Sequence, residues 1–174
     1  MKKSTPSVDA SVKKAFTFIE LIIVIAIIAV LAAAIFVAVD PARRLHEARN
    51  VVRGSDTVTI LEAVKKYQVD NDGTYYTELL SASGMADGEY HVLGTCTTGA
   101  ACTAVTSQAD CIDISKMGVT YLSEVPEDPL DATTTETKYY IMRGASNEVT
   151  VGACETEGEG VVGAGTPPTI EVSR

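Results

Sequence analysis

The sequence predicts an α+β chain. One long N-terminal α-helix, transmembrane in its first half and amphipathic in its second, packs on a small antiparallel β-sheet head. Three observations carry that expectation. From Leu21 to Val39 the chain has no charged side chain, and the apolar run that opens at Phe16 matches the ~30 Å hydrocarbon core of a bilayer. Beyond Pro41, apolar residues recur at three- and four-residue steps as far as the turn Asp70-Asn71-Asp72-Gly73, the pattern of a helix with one buried stripe. Farther on come short runs rich in β-branched and aromatic residues, bounded by Gly, Pro, Asn and Ser.

Charge divides the chain in the same way. Net charge is −9, but residues 1–53 carry an excess of four positive charges and residues 54–174 an excess of thirteen negative ones. An acidic C-terminal part argues against nucleic acid as its partner. The one basic cluster, Arg43, Arg44, Arg49 and Arg53, follows the apolar run directly. Contact with DNA or with anionic headgroups is one reading; a solvated, membrane-proximal helix face is the favoured one.

Residues 1–15 are short, polar and basic, and read as a processing segment to be set apart from the fold. Residues 16–39 form the transmembrane helix. Ala32-Ala33-Ala34 imitates a signal-peptidase site, but the apolar run continues through Ile35, Phe36 and Val37, as an anchor does. One residue breaks the pattern: Glu20, a carboxylate near the head of the run, costs a few kcal/mol in hydrocarbon unless it is paired.

Residues 40–73 continue the helix. Proline disfavours helix in the residue before it and removes a backbone donor, so Asp40-Pro41 predicts a kink or short interruption. Leu45, Ala48, Val52, Thr59/Ile60, Ala63 and Tyr67 form the apolar stripe of the second half. An element from Phe16 to Val69 would be about 80 Å long at about 1.5 Å per residue. No small head covers such a rod, so its first half must be buried by lipid or by other copies of itself.

The head spans residues 74–154. Tyr90-His91-Val92-Leu93 reads as a strand, residues 95–110 as a Cys/Thr/Ala/Gly-rich loop, and Ile112 to Leu122 as a short helix or turn. Strands at Lys138–Arg143 and Glu148–Val151 are joined as a hairpin through Gly144-Ala145-Ser146-Asn147. Residues 155–174, rich in Gly with Pro167-Pro168, read as a flexible tail. Four cysteines, Cys96, Cys102, Cys111 and Cys154, lie in the head or at its end. An even count beside small polar residues points to two disulfides in an oxidising compartment, with three pairings open. Zinc is the competing reading, but there is no CxxC pair and His46 and His91 lie far from a zinc spacing. Lys and Arg flank the apolar run equally on both sides, so charge does not orient it. The cysteines put the head outside and the N-terminus in the cytoplasm.

Ala15-Phe16-Thr17-Phe18-Ile19-Glu20-Leu21 resembles the processing signal of type IV pilins and type II secretion pseudopilins. In these a basic leader precedes a small residue, and Phe-Thr-x-x-Glu opens a long apolar helix. The resemblance implies a pilin-like fold, cleavage by a prepilin peptidase between Ala15 and Phe16, methylation of the new Phe16 amine, and a role for Glu20 in assembly. With the leader gone, that amine lies four residues before Glu20. In a staggered stack of parallel helices, the carboxylate of one subunit meets the amine of its neighbour. The pair offsets desolvation and sets the axial register, which aliphatic surface alone leaves loose. This sequence has Ala at residue 15 where Gly is commoner.

Downstream, Tyr67 to Tyr76 is similar to the helix end of major pseudopilins, and Val125-Pro126-Glu127-Asp128-Pro129 with Tyr139-Tyr140 to their later loop and strand. There the resemblance makes Glu127, Asp128 and Asp131 calcium candidates, hard oxygen donors of the kind calcium favours. Asp70-Asn71-Asp72-Gly73 resembles part of an EF-hand loop but lacks the twelfth-position glutamate, and reads as a helix-ending turn.

No phosphate loop, GxSxG or His–nucleophile pair is present, so the chain reads as an enzyme's substrate and not as an enzyme. The expected role is a structural subunit of a type IV pilus or type II secretion pseudopilus. It would sit in the cytoplasmic membrane and then pass into a filament with its own copies and other pilin-like subunits. A membrane assembly platform would serve it; nucleotide and DNA are not expected ligands. The alternative is a non-polymerising, single-pass membrane-anchored binding domain.

Overall fold

A computed structural model describes residues 16–79, 85–160 and 163–174. Its contacts divide the chain between Asp40 and Pro41, so each part is taken by itself.

The first part is helix α1, Phe18–Val39. Thr17 caps it: its hydroxyl accepts a hydrogen bond from the Glu20 N–H at 3.2 Å, and its own N–H donates to Glu20 Oε2 at 3.5 Å. This capping box satisfies two backbone donors that a helix start leaves open. Phe16 and Thr17 therefore precede the helix and do not form its first turn. Asp40 ends α1 in a left-handed conformation, φ 45°, and Pro41 opens the next helix at the position where its missing N–H costs nothing. The interruption expected at Asp40-Pro41 is one residue long. None of the α1 side chains is buried.

The second part begins with α2, Pro41–Asp70, which stops at the expected turn. There the Gly73 N–H, at φ 80°, reaches back to the Gln68 carbonyl at 2.8 Å, closing the helix as a left-handed C-terminal glycine does. Five strands follow: β1 Tyr90–Gly94, β2 Ser107–Ile112, β3 Glu136–Arg143, β4 Val149–Ala153 and β5 Glu171–Ser173. Their order across the sheet is β2-β1-β3-β4-β5. The β3–β4 hairpin is present as expected, turning through Asn147 at φ 62°. Ile60, Leu61, Ala63 and Val64 of α2 pack on Leu93, Tyr139, Ile141, Val149 and Val151 of the sheet. Burial on that scale, about 25 cal/mol per Å² of apolar area, is what joins helix to sheet.

Three expectations are corrected. The region 95–110 is not all loop: β2 begins within it and pairs with β1 in parallel, while the other pairings are antiparallel, so the sheet is mixed. Half of Ser107–Ile112, Gln108 to Asp110, is exposed, and only Ile112 is buried, so no hydrophobic alternation marks it as a strand. The tail from Glu155 is not a flexible appendage in its described residues. β5 pairs with β4, and Val149 and Arg174 exchange backbone hydrogen bonds at 3.0 Å. The stripe of α2 is not one face either. Ile60 and Ala63 are buried, but Leu45, Ala48, Val52 and Thr59 are exposed. Over the first half the buried positions are instead Asn50, Arg53 and Thr57, and Arg53 pairs there with Asp128 and Glu157.

The cysteines pair as Cys96–Cys111 and Cys102–Cys154. They staple the 95–111 segment over the far face of the sheet, where Val92, Tyr140 and Cys154 form a small second core. So few buried side chains hold a long loop weakly. Replacing Cys102 and Cys154 by serine is expected to cost about 2 to 4 kcal/mol, read as a lower urea midpoint for the full-length chain in detergent.

Candidate functional site

Two groups of residues hold chemistry that a core does not need. The first is the start of α1. Glu20 folds back onto the cap, where its carboxylate accepts from the Thr17 N–H. Phe16, just ahead, is 85% exposed. Thr17 was missed as a functional residue from sequence, although the spacing Thr-x-x-Glu is itself the capping-box signal.

The second lies in the head. Arg53, on the sheet-facing side of α2, is fully buried. Its Nε donates to Asp128 Oδ2 at 2.6 Å and its Nη2 to Asp128 Oδ1 at 3.0 Å, a two-pronged pair matched to guanidinium geometry. Its Nη1 reaches Glu157 Oε2 at 2.9 Å and Asn50 Oδ1 at 3.0 Å. Glu157 also accepts from Arg49, and His46 Nδ1 stands 2.8 Å from the Gly158 carbonyl. Asn50 Nδ2 donates to the Glu157 carbonyl and to Glu159 Oε1, both at 2.8 Å. This network straps residues 157–159 to α2.

The basic cluster is a solvated face only in part. Arg49 and Arg53 close the head internally, while Arg43 and Arg44 are exposed and pair with Glu47 at 2.7 and 3.1 Å. Burial by itself would raise the Asp128 carboxyl. The Arg53 guanidinium and the N–H groups of Asp131 and Leu130 outweigh it and hold the group below the usual carboxylate range. Arg49 beside Glu157, then Arg53, hold the Glu157 carboxyl down to about 2. A carboxylate depressed on folding contributes stability above its unfolded pKa and loses it as pH falls through the folded one. The strap is therefore expected to weaken between about pH 4.5 and about 2, by on the order of 2 kcal/mol. In Glu157→Gln that part of the acid transition of the full-length chain should be missing.

Asp128 is occupied by Arg53, and among the described residues no group of three or more His, Cys, Asp or Glu side chains is placed to hold a metal ion. Glu127, Asp128 and Asp131 are not brought around one point. All four cysteines are in disulfides, so none is left as a thiolate for zinc. His91 is buried, with neither ring nitrogen hydrogen-bonded; Asp110 Oδ1 and Glu89 Oε2 lie 3.7 and 3.9 Å away.

Among the described residues one helical stretch, beginning at Phe18, contains a segment long and apolar enough to cross a membrane. Residues 11–36 match the family model described as the prokaryotic N-terminal methylation motif. The chain carries a prepilin-type N-terminus. The motif is that of type IV pilin-like proteins processed by a prepilin peptidase. One long N-terminal helical stretch followed by a five-stranded mixed sheet is the α+β arrangement expected beside it. Neither a curated protein nor a solved structure matches the chain. Within the prepilin-type segment, Phe16 and Glu20 lie at the exposed start of α1; Ala15 and the leader 1–15 fall outside the described residues. No sequence signal announced Glu157, because its partners on α2 are more than a hundred residues away.

Proposed function

We propose that the chain is a structural subunit of a type IV pilus or type II secretion pseudopilus. A prepilin peptidase removes residues 1–15, and the new amine of Phe16 is methylated. The subunit waits in the cytoplasmic membrane as a single-pass protein with its N-terminus in the cytoplasm. It then polymerises through α1 with its own copies and other pilin-like subunits, on a membrane assembly platform.

One observation carries this reading: a methylation motif ends inside a helix none of whose side chains is buried. An apolar surface of that length needs lipid or neighbouring helices around it. The two disulfides of the head support an oxidising location for it. Glu20 supplies the charge that meets a neighbour's Phe16 amine.

The test is the intact mass of the chain extracted from membranes. The expected species begins at Phe16, carries one added methyl group and has all four cysteines oxidised. A chain that still begins at Met1 and is unmethylated would overturn the proposal in favour of an anchored, non-polymerising binding domain.

A further inference from the structure

The head is acidic, yet one corner of it gathers cations that no acid neutralises. From Pro41 onward the chain has ten Lys and Arg side chains. Seven of them pair with a carboxylate. The other three, Lys65, Lys66 and Arg174, have no carboxylate partner among the described residues. Residues 54–174 carry an excess of thirteen negative charges, so carboxylates are plentiful, and the fold brings none to this corner.

Two separate parts of the chain build it. Lys65, Gln68 and Val69 stand at three- and four-residue steps near the end of α2 and share one face. Arg174 follows β5, where backbone hydrogen bonds exchanged with Val149 at 3.0 Å fix its place. With Gly73 these residues line an open groove of about 580 Å³, inside the range of about 300 to 1,000 Å³ that holds small ligands. The Lys65 amine is positioned: it donates to Gln68 Oε1 at 3.3 Å and stands 5.7 Å from the centre of the Tyr75 ring. Burial, and then the Arg174 charge beside it, hold that amine below its usual pKa. Two like charges are thus kept together unfavourably, and an anion between them would offset the repulsion. Val69 is 79% exposed, so the groove sets apolar surface next to charge. Lysines late in a helix complement its dipole, but that does not call for an arginine brought beside them from β5.

We propose that this groove binds a short acidic peptide of a partner protein, its carboxylates on Lys65 and Arg174 and an aliphatic side chain on Val69. The guanidinium can take a carboxylate on two prongs and the ammonium can take one as a point charge. At physiological salt, charges more than about 8 Å away are largely screened, so a short peptide meets the local cations and not the head's overall negative charge. Nucleic acid fits less well. A duplex carries one charge per ~1.7 Å along its whole length, and beyond the groove it would lie on the acidic remainder of the head. The groove is complete within one head, so the proposal stands apart from the filament reading.

The experiment uses the full-length chain in neutral detergent and the fluorescein-labelled peptide Glu-Leu-Asp-Glu, read by anisotropy. Saturable binding is expected at about 50 mM salt, weakening toward about 200 mM. The double variant Lys65→Gln, Arg174→Gln is expected to bind at least about tenfold more weakly, and Arg174→Gln alone at least about threefold, a decade being about 1.4 kcal/mol. Arg43→Gln, Arg44→Gln removes the same charge about 30 Å away along α2 and should stay within about twofold of wild type. All three variants should keep both disulfides and the wild-type urea midpoint. The proposal is overturned if wild type does not bind, if the two double variants lose affinity equally, or if the uncharged peptide Gln-Leu-Asn-Gln binds as well. Tighter binding of a short DNA duplex than of the peptide would overturn it in favour of nucleic acid.

Discussion

Replacing Arg53 by alanine is expected to destabilise the head by about 3 to 5 kcal/mol. The wild-type side chain is completely enclosed and holds two carboxylates, Asp128 and Glu157. Removing the guanidinium leaves Asp128 buried and charged beside a cavity. Breaking one half of a buried pair is far costlier than never having had it. Since small domains are stable by only about 5 to 15 kcal/mol, this variant approaches the limit of folding. The double variant Arg53→Met, Asp128→Leu removes both charges and fills the space, while Arg49 still holds Glu157. It should recover most of the loss. Urea unfolding of the full-length proteins in detergent would compare them, and equal midpoints for Arg53→Ala and wild type would show that the buried pair contributes little.

The second large effect is expected at Glu20. Glu20→Ala should remain in the membrane, because the uncharged run Leu21–Val39 is unchanged, yet lose assembly by about a hundredfold or more. That is the scale of about 3 kcal/mol for a broken buried pair. The geometry of α1 adds a complication, since Glu20 also closes the capping box with Thr17. Glu20→Gln separates the two roles: glutamine serves a capping box as glutamate does but cannot pair with an amine as an anion. Failure of both variants assigns the effect to charge. If Glu20→Gln assembles like wild type, the ion pair with a neighbour's amine is not what sets register.

The two sites differ in how far they could be read in advance. Glu20 stands out because a carboxylate beside nineteen uncharged residues is costly in hydrocarbon unless it is paired. The turn at Asp70–Gly73 and the hairpin at Gly144–Asn147 were equally legible, because Gly and Asn positions follow from backbone conformations few other residues adopt. Arg53 was read as part of a basic surface patch. Its spacing from Arg49 is that of an ordinary helix face, and nothing nearby says that Asp128 and Glu157 arrive from 75 and 104 residues away. β2 escaped for a related reason: its exposed polar residues belong to a strand only because β1 and the Cys96–Cys111 bond hold them in line.

Sequence by itself determined the local and the one-dimensional: the apolar helix, its break before Pro41, its end, and the prepilin-type signal at its start. Each depends on side chains within a few residues of one another, where chemistry and spacing are both on the page. Tertiary structure alone decided the cysteine partners, the parallel β2, the strapped tail and which side of α2 faces the sheet. Those follow from contacts between distant segments, whose free energy depends on which surfaces meet and not on what lies next in the chain. The helix shows the limit most plainly, since its apolar spacing identified a stripe while buried charge decided that half of it would face outward.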